Sequence, residues 1–319
     1  MPPRGSVKQA ANGDAALSVV LSTDEMETIQ ETLSHLRAQT ASHQLELIVV
    51  APPAAVTEAQ IAELAGFHSV RTVEHDPRAS LAAARAAGVG AARAPLIAFA
   101  ETHCFPEPQW AEALIEAHRG PWAAVGPEMD NENPTRAISW ASLLIAYGPW
   151  VAPASRGPTD HLPGRNSCYK RSVLLDYAEE LAHLLDAESI IHWDLRARGH
   201  RLYMNPAARV RHRNTTRLRP ATREMFLSGR AFAALRARRW TPPRRAIYAV
   251  GSPLLPPMRL ARIVAGSWRR GRARVALRAL PAMAWLLAIS AAGELVGYVG
   301  GGGDSMRRKM ASLELRKAG

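Results

Sequence analysis

Residues 94–110 read APLIAFAETHCFPEPQW, and this stretch decides how the rest of the chain is interpreted. Its apolar run, Leu96–Ala100, has the length of a buried strand, and the two prolines that follow prevent the strand from continuing. Glu101 and His103 come directly after the run, and in an extended chain they point the same way. Open α/β sheets bind their ligands at the carboxyl ends of their buried strands, where polar side chains such as these are found.

Two interpretations of this carboxylate and imidazole are open from the residues alone. Both groups are metal ligands, so Glu101 and His103 can bind a cation together, or one can ligate while the other orients a phosphate. The alternative is a polar strand end that leads into a loop and binds nothing.

The sequence on both sides of this stretch alternates between strand and helix patterns. Apolar residues at intervals of three and four predict a helix over residues 26–36, and Ser80 is placed to cap another over residues 80–94. Gly199 is placed to end a third helix, and residues 127–165 are predicted to be irregular. The alternation predicts an α/β fold with a doubly wound sheet. The predicted strands are residues 17–21, 45–50, 69–73, 96–100, 123–126, 166–169, 201–205 and 208–212.

Charge divides the chain into an acidic and a basic part. Residues 1–195 carry 13 Lys and Arg against 24 Asp and Glu, a net charge of −11, whereas residues 196–319 carry 27 against 4, a net charge of +23. A basic part of this kind serves nucleic acid, an anionic membrane surface or an anionic substrate. Because it has neither aromatic-interleaved binding motifs nor zinc-finger spacing, we expect no nucleic-acid partner.

The order of the motifs resembles family 2 glycosyltransferases with a GT-A fold. A strand followed by STDE, a helix that carries ARAAG at residues 84–88, and a strand that ends at Glu101 occur in that family's order. GRNSCYKR at residues 164–171, Glu188 with Asp194-Leu195 after it, and VRH at residues 210–212 resemble its later motifs.

The resemblance covers roughly residues 17–213 and implies a division of the chain. It implies a GT-A domain, a mixed α/β sheet, at residues 16–215. A disordered N-terminus at residues 1–15 is expected before it, and a basic, helical, membrane-associated region at residues 216–319 after it.

The resemblance also implies roles for individual residues. It makes Glu188 the candidate catalytic base, although the residues alone favour a helix-capping acid at this position. On the residues alone, the polar residues after the first strand are typical of a simple helix cap, Arg85 of a solvated helix arginine, and His192 of a helix surface. The candidate donor-binding residues are Ser22, Thr23, Glu25, Arg85, Glu101 and His103. The candidate acceptor-binding residues are Gly164, Asn166, His192 and Trp193.

Three positions depart from the family's pattern. Glu101-Thr102-His103 stands where the family has Asp-x-Asp, Ala51-Pro52 replaces the aspartate that follows the second strand, and Ala86 replaces an asparagine. We therefore expect an altered metal site, formed by Glu101, His103 and His212, for Mn²⁺ or Mg²⁺. Imidazole ligation favours Mn²⁺ of the two. The alternative is a site without metal, in which His103 contacts the phosphate.

The basic region contains one extended apolar segment. Its apolar run of 12 residues, Ala282 to Gly293, is interrupted by Glu294 and is shorter than the roughly 20 residues that a simple membrane span needs. The pattern predicts an interfacial or re-entrant helix, or a pair of short helices, that associates with the membrane. The alternative is a helical cap packed on the enzyme.

Together these features predict a family 2-like glycosyltransferase of inverting type. Its partners would be a nucleotide-sugar donor, a lipid-linked or polysaccharide acceptor of the cell envelope, and an anionic membrane surface. No signal peptide is apparent, so the expected location is the cytoplasmic face of the cell membrane. The alternative is a catalytically weak GT-A domain that acts as a binding or assembly module, because the metal motif and the aspartate after the second strand are changed.

Overall fold

The structure, a computed structural model, describes residues 7–9, 14–53, 55–57, 60–61, 64–186 and 188–301. The chain forms two compact units. The first contains the described residues of Met1–Asp130 and Ser155–Arg211, and the second contains those of Asn131–Ala154 and His212–Lys317.

Ten strands of the described residues form one mixed sheet. They are β1 Val7–Gln9, β2 Leu17–Ser22, β3 Leu45–Ala51, β4 Ser69–Glu74, β5 Leu96–Ala100, β6 Cys104–Pro106, β7 Ala124–Asn131, β8 Gly157–Thr159, β9 Cys168–Lys170 and β10 Leu202–His212. Their hydrogen-bonded order is β1-β4-β3-β2-β5-β9-β7-β10-β6, and β8 pairs with β10. Strands β4, β3, β2 and β5 are parallel, whereas β9 runs antiparallel to β5 and β7.

The parallel strands form the buried centre of the first unit. Every residue of β2, β3 and β5 is buried, as expected for strands that are covered on both faces. The described helices of this unit are α1 Gln30–Arg37, α2 Leu81–Ala91, α3 Trp110–Ala117, α5 Arg171–Leu175, α6 Leu181–Leu185 and α7 Glu188–Ala197. The Ser80 side chain accepts a hydrogen bond from the Ala83 N–H at the start of α2, as predicted. Gly199, with φ of 83°, follows α7 as predicted.

The second unit is helical. Its described helices are α4 Ala137–Tyr147, α8 Leu218–Arg236, α9 Pro242–Gly251, α10 Leu255–Arg269 and α11 Ala273–Gly300. Helices α8 and α11 pack closely through glycines: a Cβ at Gly229 would overlap the Ser290 carbonyl, and a Cβ at Gly293 would overlap the Phe226 carbonyl. Among the described residues, α11 is the one helix whose length and composition would allow it to cross a membrane.

Three predicted segments differ from the structure. Residues 127–165 are not irregular throughout, because they contain most of β7 and the whole of α4, whose apolar residues lie on all sides and give no amphipathic pattern. The two strands predicted within residues 201–212 are one strand, which continues through Pro206. The apolar C-terminal segment is one 28-residue helix through Pro281, not a pair of short helices.

The predicted disordered N-terminus, residues 1–15, lies largely outside the described residues. Within it, Val7–Gln9 form strand β1, which pairs antiparallel with β4.

Candidate active site

The candidate site lies where the parallel strands end. β2 ends at Ser22 and β5 ends at Ala100, and the two strands are hydrogen-bonded neighbours that run in the same direction. The polar residues that follow them therefore meet at one edge of the sheet, the edge where open α/β folds bind ligands. We call this the carboxyl edge.

Two features lie at the end of β2: the buried hydroxyl of Ser22 and a turn that contains Thr23 and Glu25. Ser22 is buried, and its Oγ has no hydrogen-bond partner among the described residues. The Thr23 hydroxyl lies 2.7 Å from the Thr28 hydroxyl and 3.1 Å from the Glu25 N–H, which donates to it. The Thr23 side chain thus stabilises the turn, and Glu25 is exposed. Ser22 is the residue here with hydrogen-bonding capacity left for a ligand.

Glu101 lies at the centre of a buried polar network. Its Oε1 is 3.7 Å from Arg85 Nη2 and 3.8 Å from Arg165 Nη1. Its Oε2 accepts hydrogen bonds from Asn166 Nδ2 at 2.8 Å and from the Cys104 thiol at 3.4 Å. The Glu101 side chain is only 4% exposed, so the two guanidinium groups supply the positive charge that a buried carboxylate needs.

A threonine on α1 fixes the backbone beside this network. The Thr32 hydroxyl lies 3.2 Å from the Glu101 carbonyl oxygen, 3.1 Å from that of Thr102 and 3.3 Å from that of Cys104. Thr32 is fully buried. Because one hydroxyl contacts three carbonyls of the same loop, it holds Glu101 and His103 in a fixed position relative to the sheet.

The acceptor-side residues reach the same carboxylate. Gly164–Asn166 form a short 3-10 helix before β9, and Gly164 and Asn166 are buried. The bond from Asn166 to Glu101 joins a residue predicted to bind acceptor to one predicted to bind donor.

His192 and Trp193 lie on α7 in an aromatic cluster. His192 is buried, with its Nε2 2.9 Å from the Tyr169 hydroxyl and its ring stacked on that of Tyr169. Burial, with a smaller contribution from the neighbouring His161, lowers the pKa of His192 to about 3. Trp193 is 40% exposed and makes an edge contact with the His161 ring. His192 is therefore a neutral core residue, and Trp193 is the one that a ligand can reach.

Glu188, the predicted base, is the first residue of α7. Its side chain lies outside the described part of the structure. The structure gives the backbone position of Glu188, which is one helical turn before His192.

Among the described residues, the buried side chains of Glu101, His103 and Cys104 form a group suited to binding a metal ion, and His212 is also buried. The ligand atoms of the first three lie within 4.8 Å of one another. His212 is the last residue of β10, and its ring lies 4.9 Å from that of Tyr147. Carboxylate, imidazole and thiol donors together fit a divalent transition metal better than Mg²⁺. The donor set thus fits a metal, although two guanidinium groups approach the same carboxylate.

Four residues of this region were not predicted from the sequence. Arg165 and Cys104 are next to predicted residues, so a search of their neighbours would have found them. Thr32 contacts Glu101, 69 positions away, and Tyr169 contacts His192, 23 positions away, so no local sequence pattern identifies either residue.

Comparisons with known proteins found a matching family model and similar solved structures. A family model described as Glycosyl transferase family 2 matches residues 18–177. The crystal structure of S. aureus TarS 1-349 is similar to this chain with a TM-score of 0.45 and 14% sequence identity, over 70% of this chain and 66% of that one. The chain thus spans slightly less than two thirds of that structure. No curated protein matches the sequence.

Proposed function

Because the chain belongs to glycosyl transferase family 2, we propose that it is an inverting glycosyltransferase that moves a sugar from a nucleotide-sugar to a lipid-linked or polysaccharide acceptor. The family match and the observed mixed sheet confirm the predicted GT-A fold. The observation that carries the proposal is the buried Glu101 network at the carboxyl edge, with two arginines beside it.

The donor diphosphate binds at this edge. Its negative charge grows as the bond to the sugar breaks, and fixed cationic groups in a buried site stabilise such charge strongly. Arg85 and Arg165 are held by Glu101 and are placed to supply these cations. The buried Ser22 hydroxyl contributes a hydrogen bond to the donor, since no described residue is its hydrogen-bond partner. Thr23 and Glu25 shape the turn beside it.

A divalent cation, Mn²⁺ or Mg²⁺, would be held by Glu101, His103 and His212. When bound, it supplies further positive charge to the departing diphosphate. Glu101 would then serve both the two arginines and the cation.

The acceptor hydroxyl forms a bond to the anomeric carbon as the bond from that carbon to the diphosphate breaks. Glu188 takes the proton of the hydroxyl, and the nucleoside diphosphate leaves with the electron pair. Gly164 and Asn166 line the acceptor side, and Trp193 contributes its exposed ring, while His192 lies buried against Tyr169.

An exposed apolar surface in the second unit supports attachment to the cytoplasmic face of the membrane. Ile247 and Val250 of α9, Leu254 of the 3-10 helix Ser252–Leu254 and Met258 of α10 recur at intervals of three or four residues, and they are 70%, 80%, 67% and 58% exposed. We call these four residues the apolar ridge. Arginines flank it in the sequence, and anionic headgroups add about 1 kcal/mol of attraction per basic residue near the surface.

The test is a thermal-shift panel of UDP-, GDP-, dTDP- and CMP-sugars, with Mn²⁺ or with EDTA, followed by assay of donor turnover. One nucleotide-sugar should raise Tm by mass action, and Arg85→Gln and Arg165→Gln should each weaken that effect. Arg119→Gln, a control at an exposed arginine, should not. If no nucleotide-sugar binds, the proposal is wrong.

A second function is favoured by the same network. Both Glu101 oxygens already have partners in the fold, as they would in a binding module that had lost its metal. Binding of a nucleotide-sugar without hydrolysis or transfer to any acceptor would favour this catalytically weak module.

A further inference from the structure

A cavity of about 580 Å³ opens at the opposite edge of the sheet, where the parallel strands begin. Glu46 lies at the start of β3, Ser69 begins β4, and residues 93–95 lead into β5. We call this the amino-edge cavity. Its lining residues are Asp14, Ala15, Glu46, His68, Ser69, Arg71, Arg93, Ala94, Pro95, Arg171, Ser172 and Leu175.

The buried carboxylate of the cavity, that of Glu46, accepts hydrogen bonds from the protein through both of its oxygens. Glu46 Oε1 accepts a hydrogen bond from Arg71 Nε at 2.8 Å. Its Oε2 accepts from the Ser18 hydroxyl at 2.5 Å and from the Arg93 N–H at 2.8 Å. Glu46 is 1% exposed, so its charge is neutralised inside the wall of the cavity.

Two other arginines of the cavity keep hydrogen-bonding capacity. The Arg93 side chain is exposed and has no partner among the described residues. Arg171 donates from Nε to the Ala92 carbonyl at 2.7 Å, which fixes its side chain and leaves its terminal amino groups for a ligand. Asp14, also on the lining, is exposed to solvent. Two guanidinium groups from different elements therefore converge on one cavity.

We propose that the amino-edge cavity binds a small phosphate-bearing molecule. Guanidinium groups match the tetrahedral oxygens of phosphate with paired, charge-assisted hydrogen bonds. The volume lies within the range of small-molecule sites, so the ligand is larger than phosphate alone. Ala15, Pro95 and Leu175 give it an apolar wall for the rest of the ligand.

This site is separate from the carboxyl edge. Strands β2 and β4 each have six residues, and a strand rises about 3.3 Å per residue, so roughly 20 Å lies between the two ends of these strands. A ligand in the amino-edge cavity therefore does not contact Arg85 or Glu101. The proposal does not depend on the donor site, and either can be wrong without the other.

The test uses the full-length chain with inorganic phosphate and, separately, with glycerol phosphate as an organic phosphate. Both should raise Tm relative to NaCl of equal ionic strength, and glycerol phosphate should bind more tightly. Arg93→Ala should weaken the binding of both phosphate and glycerol phosphate by about tenfold, the usual loss for one charge-assisted hydrogen bond. Arg171→Lys, which keeps the charge, should weaken them less.

Two control variants locate the binding. Arg119→Ala should leave the phosphate effect unchanged, and Arg93→Ala should reduce that effect by the same factor whether or not Arg85→Gln is also present. If Arg85→Gln abolishes the effect while Arg93→Ala does not, phosphate binds at the carboxyl edge and the proposal is wrong. An equal Tm rise with acetate would overturn the assignment to phosphate, and the absence of any rise would remove the site.

Discussion

His192 should make the protein less stable in acid, and the structure gives the size of the effect. The pKa of this buried imidazole is about 3 in the folded protein, against 6.5 for an exposed histidine. Below pH 6.5 the unfolded chain binds a proton at His192 while the folded protein does not. The free energy of unfolding therefore falls as the pH falls from 6.5 towards 3, and it is fully restored above 6.5.

The magnitude follows from the two pKa values. Each unit of pH within this window costs about 1.4 kcal/mol, so His192 alone should lower the free energy of unfolding by about 2 kcal/mol between pH 7 and pH 5. His118, whose pKa burial lowers to about 4, should contribute a similar loss. The groups that face His192 are the Tyr169 hydroxyl and the His161 ring.

The assay is urea unfolding at several pH values between 5 and 7. His192→Gln keeps a partner for the Tyr169 hydroxyl but cannot bind a proton, so about half of the loss that His192 and His118 cause together should disappear. His43→Gln, at an exposed histidine, is the matched control. If His192→Gln has the same pH dependence as the wild type while His118→Gln reduces it, the folded protein protonates His192 and the reasoning is refuted.

Three further predictions concern activity, metal and membrane. Glu188→Gln should keep the fold and donor binding but reduce transfer by about 10²–10⁴-fold, because an amide cannot accept the proton; turnover at the wild-type rate would exclude Glu188 as the base. His103→Ala should weaken Mn²⁺ and donor binding together, as EDTA should, and unchanged donor binding in EDTA would favour direct contact of His103 with phosphate. Ile247→Ser combined with Val250→Ser should reduce sedimentation with anionic vesicles at low salt, whereas a wild type that stays in the supernatant would contradict membrane attachment. These substitutions are preferable to removing residues 246–319, because α11 packs along α8 and its loss would expose the core of that unit.

Several elements were predictable from local patterns. Strands β2, β3 and β5 are continuous apolar runs because they are buried on both faces, so each appears in the sequence within one residue of its observed bounds. Ser80 and Gly199 mark helix ends because their chemistry acts on backbone groups a few residues away. The family resemblance, drawn from the order of such motifs, is confirmed by the family match. The roles of the individual site residues, the domain bounds and the absence of a nucleic-acid partner stay predictions.

The sequence by itself determined which polar residues follow the strands and would lie at the carboxyl edge, since parallel neighbours end at the same side of a sheet. Only the tertiary structure decided that Glu101 binds Arg85, Arg165 and Asn166, which lie 16, 64 and 65 positions away. The physical reason is that periodicity records which face of an element is buried, whereas charge compensation depends on which elements pack together. The amino-edge cavity was likewise decided by the tertiary structure, because its arginines come from segments that become neighbours when the sheet forms.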